Sequence, residues 1–387
     1  MYIPAPFRVD DPSTTAPFIR RIAACICLIV AFAAIVPAQH TLATRDFFYV
    51  GGSYAGAKST EVMAGQMYVE VLRPQRVTKR YPIVFFHGAG QTATNWLGTP
   101  DGRPGWADYF LNNGYVVYLV DQPARGRSAW RPSINGPLQT VSVGDVELRF
   151  TAPEKFGAWP QAKSHTQWPG AGDKKGMRGD AIFDAFYATQ VAGLASAVET
   201  QTLVQSAGAA LLDRIGPAIV VTHSQAGPFG WLLADARPSA VKAIVAVEPN
   251  GPPFQNAITG EERARAWGLA DIPLTYDPPL RDAADLHAER EDTSDGPMLT
   301  ACWRQPAPAR RLPRLQSLPI LIVTAEASYH AAYDHCTSKY LTQAGVTHTF
   351  TRLELEGIRG NGHMMMLEKN SDSIAHYLDT WLIAHVQ

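Results

Sequence analysis

The chain has 387 residues, of which 46% are hydrophobic, 10% aromatic and 18% charged. This composition is that of an ordinary globular protein and excludes a disordered chain or a coiled coil. The 34 Lys and Arg residues balance 35 Asp and Glu residues, for a formal net charge of -1. Because no basic excess exists to neutralise phosphates, we expect no nucleic-acid partner.

Residues 1–38 have the features of a secretion signal. The pair Arg20-Arg21 precedes an uncharged apolar run over residues 22–36, and small residues follow at the usual cleavage spacing. A membrane span needs about 20 apolar residues, so the run is short for one; the alternative is a retained N-terminal anchor. We therefore expect a secreted or periplasmic protein without stable membrane insertion after cleavage, with a catalytic domain over residues 39–387.

The cysteines divide between the leader and the rest of the chain. Cleavage would remove Cys25 and Cys27 and leave Cys302 and Cys336. Two cysteines in an exported protein suggest one disulfide, because such compartments are oxidising. The alternative is a pair of buried free thiols.

After the leader, short apolar runs alternate with helical stretches. Two β-like pieces come first, at 46–50 and 66–72. Later runs have the continuous Val, Ile and Leu content of strands buried on both faces: 82–86, 115–120, 218–222, 241–247, 319–324 and, more weakly, 349–355. Helices are predicted over 181–215, 229–236, 331–344 and 373–385. This alternation indicates an α/β fold with a mostly parallel sheet.

Two long segments fit no element of the sheet. Residues 125–179 are rich in Pro, Gly and Trp, and residues 250–315 are rich in Pro, Arg and Asp. Both follow strand ends, where loops build sites in open α/β sheets. We interpret them as insertions that shape a pocket within a single domain.

A candidate nucleophile lies in residues 218–227, which read AIVVTHSQAG. A serine on a sharp strand-to-helix turn projects its hydroxyl clear of the sheet, and Ser224 has this position. The usual pattern is G-x-S-x-G, but Thr222 and Ala226 stand at the glycine positions. The alternative is a serine that only caps the following helix.

An oxyanion loop is predicted at residues 87–90, which read HGAG directly after a strand. The backbone N–H groups of Ala89 and Gln225 would bind the oxyanion of a tetrahedral intermediate. The alternative is an ordinary glycine turn.

Among 11 histidines, His363 is the candidate general base. It follows the last predicted strand and precedes the last helix, where the Ser–acid–His order of such hydrolases puts the base. His223 adjoins the serine, and adjacent side chains at such a turn point apart. His87 belongs to the oxyanion loop. We expect His330 and His335 to contact solvent or the region of the cysteines.

Two glutamates compete as the acid that orients the histidine. Glu326 follows the strand at 319–324 and has the common position. Glu248 follows the preceding apolar strand, where a carboxylate needs a partner to offset its desolvation. The residues alone leave this choice even.

Five segments resemble the atypical secreted esterase of Alcaligenes and its fungal and bacterial relatives: TPDGRPGWADYF at 99–110, DQPARGRSAW at 121–130, THSQAG at 222–227, VAVEP at 245–249 and GIRGNGHMMM at 357–366. The resemblance implies an α/β-hydrolase fold with helices on both faces of the sheet. It also implies that the acid is Glu248, the glutamate directly after the strand that follows the nucleophile helix. The bacterial esterase has cysteines where this chain has Ala89 and Gly90, a departure that leaves the backbone N–H in place.

We therefore expect a serine esterase or lactonase that works through an acyl-enzyme intermediate, with Ser224, His363 and Glu248 as its triad. An HExxH motif and clustered Cys/His ligands are absent from the sequence, so we expect no metal and no cofactor. Acyl transfer, amide cleavage and a catalytically silent binding protein on the same fold are the alternatives.

The expected partner is a small ester or lactone, and the oligomeric state is left open, with a homodimer among the alternatives. Large apolar residues near the predicted site suggest an apolar pocket, formed by Trp96, Trp130, Phe229 and Met364. The alternative is that most of them pack the loops.

Overall fold

The protein is described by a computed structural model that covers residues 42–257 and 262–386. The predicted leader, with Cys25 and Cys27, lies outside the described residues. Within the described ranges, no helix combines the length and the apolar character that a membrane crossing requires.

The central feature is an eight-stranded sheet with the order β1-β2-β4-β3-β5-β6-β7-β8. Its strands are β1 (Leu42–Ala55), β2 (Val62–Pro74), β3 (Ile83–Phe86), β4 (Val117–Asp121), β5 (Ala218–His223), β6 (Val241–Val247), β7 (Ile320–Thr324) and β8 (Thr349–Arg352). Strands β3 to β8 run parallel, whereas β2 is antiparallel to both β1 and β4. The predicted mostly parallel α/β fold is confirmed.

Helices cover both faces of the sheet. They are α1 (Thr94–Leu97), α2 (Trp106–Asn112), α3 (Val143–Val146), α4 (Pro153–Phe156), α5 (Ala181–Tyr187), α6 (Ala197–Ile215), α7 (Gly227–Ala236), α8 (Asp334–Gln343) and α9 (Ser371–His385). Successive residues of a strand point to opposite faces. Thus Ile83 and Phe85 join a core with residues of α2 and α9, and Val84 and Phe86 join a core with residues of α6 and α7. Each fully buried side chain of this kind contributes about 1.5–3 kcal/mol.

The predicted helix over 181–215 is wrong in its middle. Helix α5 ends at Tyr187 and α6 begins at Ala197, because Ser196 caps α6 by accepting the Glu199 N–H at 3.1 Å. The intervening chain includes Val191, whose N–H donates to the carbonyl of Gly90 at 2.8 Å. The break therefore ties this segment to the predicted oxyanion loop.

Other predicted elements differ mainly in length. The β-like pieces at 46–50 and 66–72 belong to β1 and β2, which form a longer antiparallel hairpin. The strand predicted over 349–355 ends at Arg352 and continues as a 3₁₀ turn, Leu353–Glu356. The helix predicted over 331–344 is preceded by a separate 3₁₀ turn, Tyr329–Ala332.

The two long segments lie outside the eight-stranded sheet. Segment 125–179 contains α3, α4, a π-helical turn (Glu147–Thr151) and a 3₁₀ turn (Pro160–Ser164). One further two-residue strand, Leu138–Gln139, pairs with Gly193–Leu194. Segment 250–315 contains a 3₁₀ turn (Ala283–Leu286) and a two-residue ladder between Glu289–Arg290 and Trp303–Arg304.

A disulfide joins the second of these segments to helix α8. Cys302 and Cys336 are bonded across 34 residues of sequence. The predicted disulfide is confirmed, and the alternative of two free thiols is wrong.

Candidate active site

The chemically active side chains follow the carboxyl ends of neighbouring parallel strands. His87 comes directly after β3, Ser224 after β5 and Glu248 after β6. Because parallel strands end at the same edge of a sheet, these residues lie together there, as sites of open α/β sheets do.

Ser224 has a backbone conformation that few non-glycine residues adopt. Its φ is +54°, in the left-handed region, at the turn between β5 and α7. Such a conformation costs on the order of 1–3 kcal/mol and persists where the surroundings enforce it. Gly88 leaves room opposite this turn, since a Cβ at Gly88 would lie 3.1 Å from the Cβ of Ser224, a crowded contact. Thr222 is buried, and its methyl group faces Gly230 of α7, which leaves room for it.

His363 and Glu248 are in direct contact. The Nδ1 of His363 lies 2.5 Å from the Oε2 of Glu248. The same carboxylate accepts hydrogen bonds from the Ala325 N–H at 2.8 Å and the Ser328 hydroxyl at 2.7 Å. Glu248 is fully buried, and it too has a positive φ, of +46°. Three donors therefore fix the carboxylate and direct it at the imidazole.

Glu326, the other candidate acid, bonds the backbone of the histidine loop and not the histidine ring. Its Oε2 accepts the N–H of Gly360 at 2.8 Å, and its Oε1 lies 3.6 Å from a guanidinium nitrogen of Arg359. The two glutamates that the residues alone could not separate thus have different contacts: Glu248 touches His363, and Glu326 holds the loop that carries it.

Burial shifts the pKa of both members of the His363–Glu248 pair. Desolvation lowers the pKa of His363 well below its usual value, and the nearby rings of His223 and His330 lower it further. Desolvation raises the pKa of Glu248 well above its usual value, against the hydrogen bonds from Ala325 and Ser328. The imidazole is therefore neutral at neutral pH, as a general base must be.

Two further histidines pack against His363. The ring of His330 stacks on it with centroids 4.8 Å apart, and His330 Nδ1 lies 2.9 Å from Asp334. His223 Nε2 lies 3.1 Å from the backbone oxygen of His363. The expectation that His330 contacts solvent or the cysteines is wrong, because the turn after β7 carries it into the interior. His335 does lie by the disulfide, with Nε2 3.3 Å from the Cys302 sulfur.

Tyr329 lies between the serine and the histidine. Its hydroxyl is 3.4 Å from His363 Nε2, and Tyr329 lines the same cavity as Ser224. Burial raises the pKa of Tyr329, so its hydroxyl keeps its proton. Sequence reasoning missed this residue, and its only signal is its place after β7 at the same edge of the sheet.

The predicted oxyanion loop is held by a buried arginine. Arg125 donates from Nη1 to the carbonyl of Gly88 at 3.0 Å and from Nη2 to the Gln225 side chain at 3.1 Å. Burial lowers the pKa of Arg125 to about 10, which still leaves it charged at neutral pH. This cation therefore positions both segments that contain the predicted oxyanion donors, Ala89 and Gln225.

Ser224 opens onto a cavity of about 340 Å³. Both long segments contribute to its wall. The first segment supplies Arg149 and Phe150, and the second supplies Asn250, Arg265 and Asp271. The rest of the wall includes Ala89, Gln225 and Tyr329. The wall is thus more polar than the predicted aromatic pocket.

Among the four predicted pocket residues, Phe229 lines the cavity. Trp96 packs instead in the core, with its ring 4.9 Å from Phe85. Met364 is buried, with its sulfur accepting from the Gln91 amide, and Trp130 donates to the carbonyl of Gly136. The pocket prediction is therefore wrong for these three, because their side chains pack the core or the loops and do not line the cavity.

Two groups of side chains have the composition of metal ligands. Glu248, His330 and His363 have ligand atoms within 4.8 Å of one another, as do Cys302, His335 and Cys336. In the first group, Glu248 Oε2 and His363 Nδ1 already bond each other. In the second, the sulfurs form the disulfide, so neither is a thiolate.

Comparisons with known proteins identify the family of the chain. A sequence profile described as "Alpha/beta hydrolase family" matches residues 83–376. The chain is 49% identical over 338 residues to "Probable secreted lipase phiG" of Fungal sp. (strain ATCC 74256), covering 87% of this chain and 89% of the relative. The chain belongs to the alpha/beta hydrolase family. The family predicted from the five resembling segments is confirmed.

A solved structure has the same fold as this alpha/beta hydrolase. The structure described as that of a novel bacterial esterase aligns with this chain with a TM-score of 0.59 and 23% sequence identity. The alignment covers 90% of this chain and 97% of the other. At this identity the likeness concerns the fold alone.

A second network anchors the loop that carries His363 in this alpha/beta hydrolase. The carboxylate of Glu368 accepts the Gly362 N–H at 2.9 Å and the Asn361 side-chain amide at 2.7 Å. His165 lies between two glutamates. Its Nε2 is 2.7 Å from Glu368 Oε1, and its Nδ1 is 2.6 Å from Glu154 Oε2. Burial opposes a charge on this histidine, but the two glutamates raise the pKa of His165 to about 9.

Proposed function

We propose that this alpha/beta hydrolase is an exported serine esterase that cleaves carboxylic esters, lactones included, through an acyl-enzyme intermediate. The main support is the contact between His363 and the buried Glu248 at the sheet edge where Ser224 opens onto a cavity. The ester class is further supported by the 49% identical relative, whose name is that of a probable secreted lipase.

The first step is attack of the Ser224 oxygen on the ester carbonyl. His363 Nε2 takes the serine proton, and the resulting imidazolium is stabilised by Glu248 through Nδ1. Glu248 accepts the Nδ1–H, which leaves Nε2 as the basic nitrogen. The low pKa that burial imposes on His363 keeps the ring neutral and ready to accept this proton.

Tyr329 lies beside the proposed base. Its hydroxyl is 3.4 Å from His363 Nε2, and Tyr329 and Ser224 line the same cavity. The Ser224 hydroxyl forms its hydrogen bond with the imidazole as substrate binds. Catalytic hydrogen bonds often tighten in this way only when substrate is bound.

Negative charge then develops on the carbonyl oxygen, where the N–H groups of Ala89 and Gln225 bind it. Loss of one such donor typically lowers the rate by about 100- to 1,000-fold, so their exact placement matters. Arg125 maintains that placement through Gly88 and the Gln225 side chain. His363 gives its proton to the leaving alcohol, then activates a water molecule that releases the acid and restores Ser224.

We further propose that residues 1–38 are a cleaved signal and that residues 39–387 are one catalytic domain, with insertions at 125–179 and 250–315. The relative's description as secreted supports export. The intact mass of the exported protein identifies its first residue, and a chain that keeps residues 1–38 would contradict the cleavage.

The decisive experiment is Ser224→Ala, assayed with p-nitrophenyl butyrate. We expect kcat/KM to fall about 10⁵-fold, because the nucleophile acts as a unit with its base. A fluorophosphonate probe should label the wild type and not the variant. Ser373→Ala, at an exposed serine of α9, is the control and should keep full activity. Absence of both turnover and labelling in the wild type would refute the proposal.

A further inference from the structure

The cavity at Ser224 has an arginine on each of the two insertions that line it, and their surroundings differ. Arg149 comes from the first insertion, and its Nη2 forms an ion pair with Asp145 at 2.6 Å. Arg265 comes from the second insertion. Its guanidinium is neutralised by no ion pair within the described ranges of the chain.

Arg265 is a buried cation with an open hydrogen-bonding site. Only 3% of the residue is exposed, and its Nε donates to the carbonyl of Pro252 at 2.9 Å. Its Nη2 is buried and has no hydrogen-bond partner. The buried Nη2 donor has lost its hydration without gaining a replacement hydrogen bond, which is expensive. A ligand that supplies an anion would remove this deficit.

The backbone at Arg265 is strained and is held by a neighbouring acid. Arg265 has a φ of +48°, in the left-handed region, and its N–H donates to Asp271 Oδ1 at 2.7 Å. The other oxygen of Asp271 accepts the side-chain amide of Gln201 at 2.6 Å. Burial lowers the pKa of Arg265, and the charge of Asp271 opposes this shift only in part. A strained backbone held in this way is typical of a functional position.

From these contacts we propose that Arg265 binds a free carboxylate of the substrate, so that the preferred substrate is an ester whose acyl or alcohol part carries a second, ionised carboxyl group. This inference rests on the proposed esterase function. A guanidinium has a planar set of donors that matches a carboxylate in a two-point contact. A cavity of about 340 Å³ admits a small substrate of this kind.

Two matched pairs of synthetic esters test the proposal on the purified protein. The first pair carries the charge in the acyl part: p-nitrophenyl hydrogen adipate against its carboxamide, p-nitrophenyl adipamate. The second carries it in the alcohol part: 4-(carboxymethyl)phenyl butyrate against 4-(carbamoylmethyl)phenyl butyrate. Each carboxamide has nearly the shape of its carboxylate but no charge, so the ratio of the two kcat/KM values isolates recognition of the anion.

We expect the wild type to favour the carboxylate by about 10- to 100-fold in one of the two pairs, the range of a charged hydrogen bond. The pair that responds identifies which part of the ester Arg265 contacts. Arg265→Gln should lower kcat/KM far more for the carboxylate than for the carboxamide and so abolish that preference. The control Arg281→Gln, at a side chain that is 93% exposed, should keep the preference.

Two outcomes would overturn the inference alone. One is a wild type that hydrolyses the carboxamides as fast as the carboxylates in both pairs. The other is an Arg265→Gln variant that loses activity equally on both members of a pair, because Arg265 would then only support the fold. Absence of turnover with all four esters would instead refute the proposed function.

Discussion

Two buried histidines of this hydrolase contact glutamates at nearly the same distance, yet their pKa values shift in opposite directions. His363 lies 2.5 Å from Glu248, and His165 lies 2.6 Å and 2.7 Å from Glu154 and Glu368. Burial lowers the pKa of His363, whereas the two carboxylates raise the pKa of His165 to about 9. The contact distance alone therefore does not determine the charge of a buried histidine.

The surroundings of each ring explain the difference. Each ring nitrogen of His165 lies next to a carboxylate. The two negative charges therefore favour a proton on both nitrogens. His363 has one carboxylate, and its remaining neighbours include the rings of His223 and His330 and the charge of Arg149, which disfavour a second proton. A histidine with two acids is a structural cation, and one with a single acid keeps a free nitrogen for base catalysis.

Among the substitutions that test this comparison, the largest effect is expected from removing the single acid of His363. Glu248→Gln should lower kcat/KM for p-nitrophenyl butyrate by about 10³- to 10⁴-fold, because the amide no longer fixes the productive tautomer or stabilises the imidazolium. Steady-state kinetics at neutral pH measures this change.

Glu326→Gln is the matched control for that substitution. Glu326 bonds the backbone N–H of Gly360 and not the imidazole, so we expect a loss of less than about 10-fold. A larger loss in Glu326→Gln than in Glu248→Gln would reverse the assignment of the acid.

The second prediction concerns the charged histidine. Its folded pKa of about 9 exceeds the ordinary value of 6.5, so its stabilisation is complete below about pH 6.5 and is lost as pH rises through 9. The shift corresponds to about 3 kcal/mol of unfolding free energy. Urea unfolding between pH 6 and 10 should show this loss in the wild type and not in His165→Gln.

The matched control for this experiment is His376→Gln, at an exposed histidine of α9. Its unfolding free energy should follow the wild-type profile at every pH. If the wild type keeps its stability from pH 7 to 10, the ring of His165 is neutral and the comparison between the two histidines fails.

The smallest effect is expected at Tyr329, whose hydroxyl lies 3.4 Å from His363 Nε2. Tyr329→Phe removes this hydroxyl, and we expect kcat to fall by about 3- to 10-fold, the range of one neutral hydrogen bond. An unchanged kcat would exclude a role for the hydroxyl. A fall in activity as large as that of Glu248→Gln would indicate that the Tyr329 phenol transfers a proton in the reaction.

The sheet and the residues at its strand ends could be predicted from sequence, because buried parallel strands have a strong apolar signal and a fixed place in the chain. Ser224 and His363 follow from that order alone. Glu248 and Glu326 could not be separated by it, since both follow strands. Their different contacts depend on how the 360–363 loop folds back, which no local pattern records.

The insertions were harder to predict for the same physical reason. Arg265 reaches the cavity through irregular chain, in which neither a 2-residue nor a 3.6-residue period exists. Tyr329 lies outside the insertions, at the start of a short 3₁₀ turn that has no such period either. The helix predicted over 181–215 failed where the chain turns aside to bond Gly90 and to line the cavity with Leu194 and Ala195. Conversely, Trp96 and Met364 were assigned to the pocket because large apolar side chains serve cores and pockets equally well.

The division of the cavity wall between sheet edge and insertions has a consequence for engineering. The residues proposed for bond cleavage follow strands of the sheet. The parts of the cavity wall that contain Arg149 and Arg265 belong instead to the two insertions, which carry none of those residues. Segment 250–315 is also fastened at Cys302 to helix α8. Exchanging the chain between residues 250 and 301 for that of a relative should therefore retune which esters are accepted while leaving the reaction itself intact.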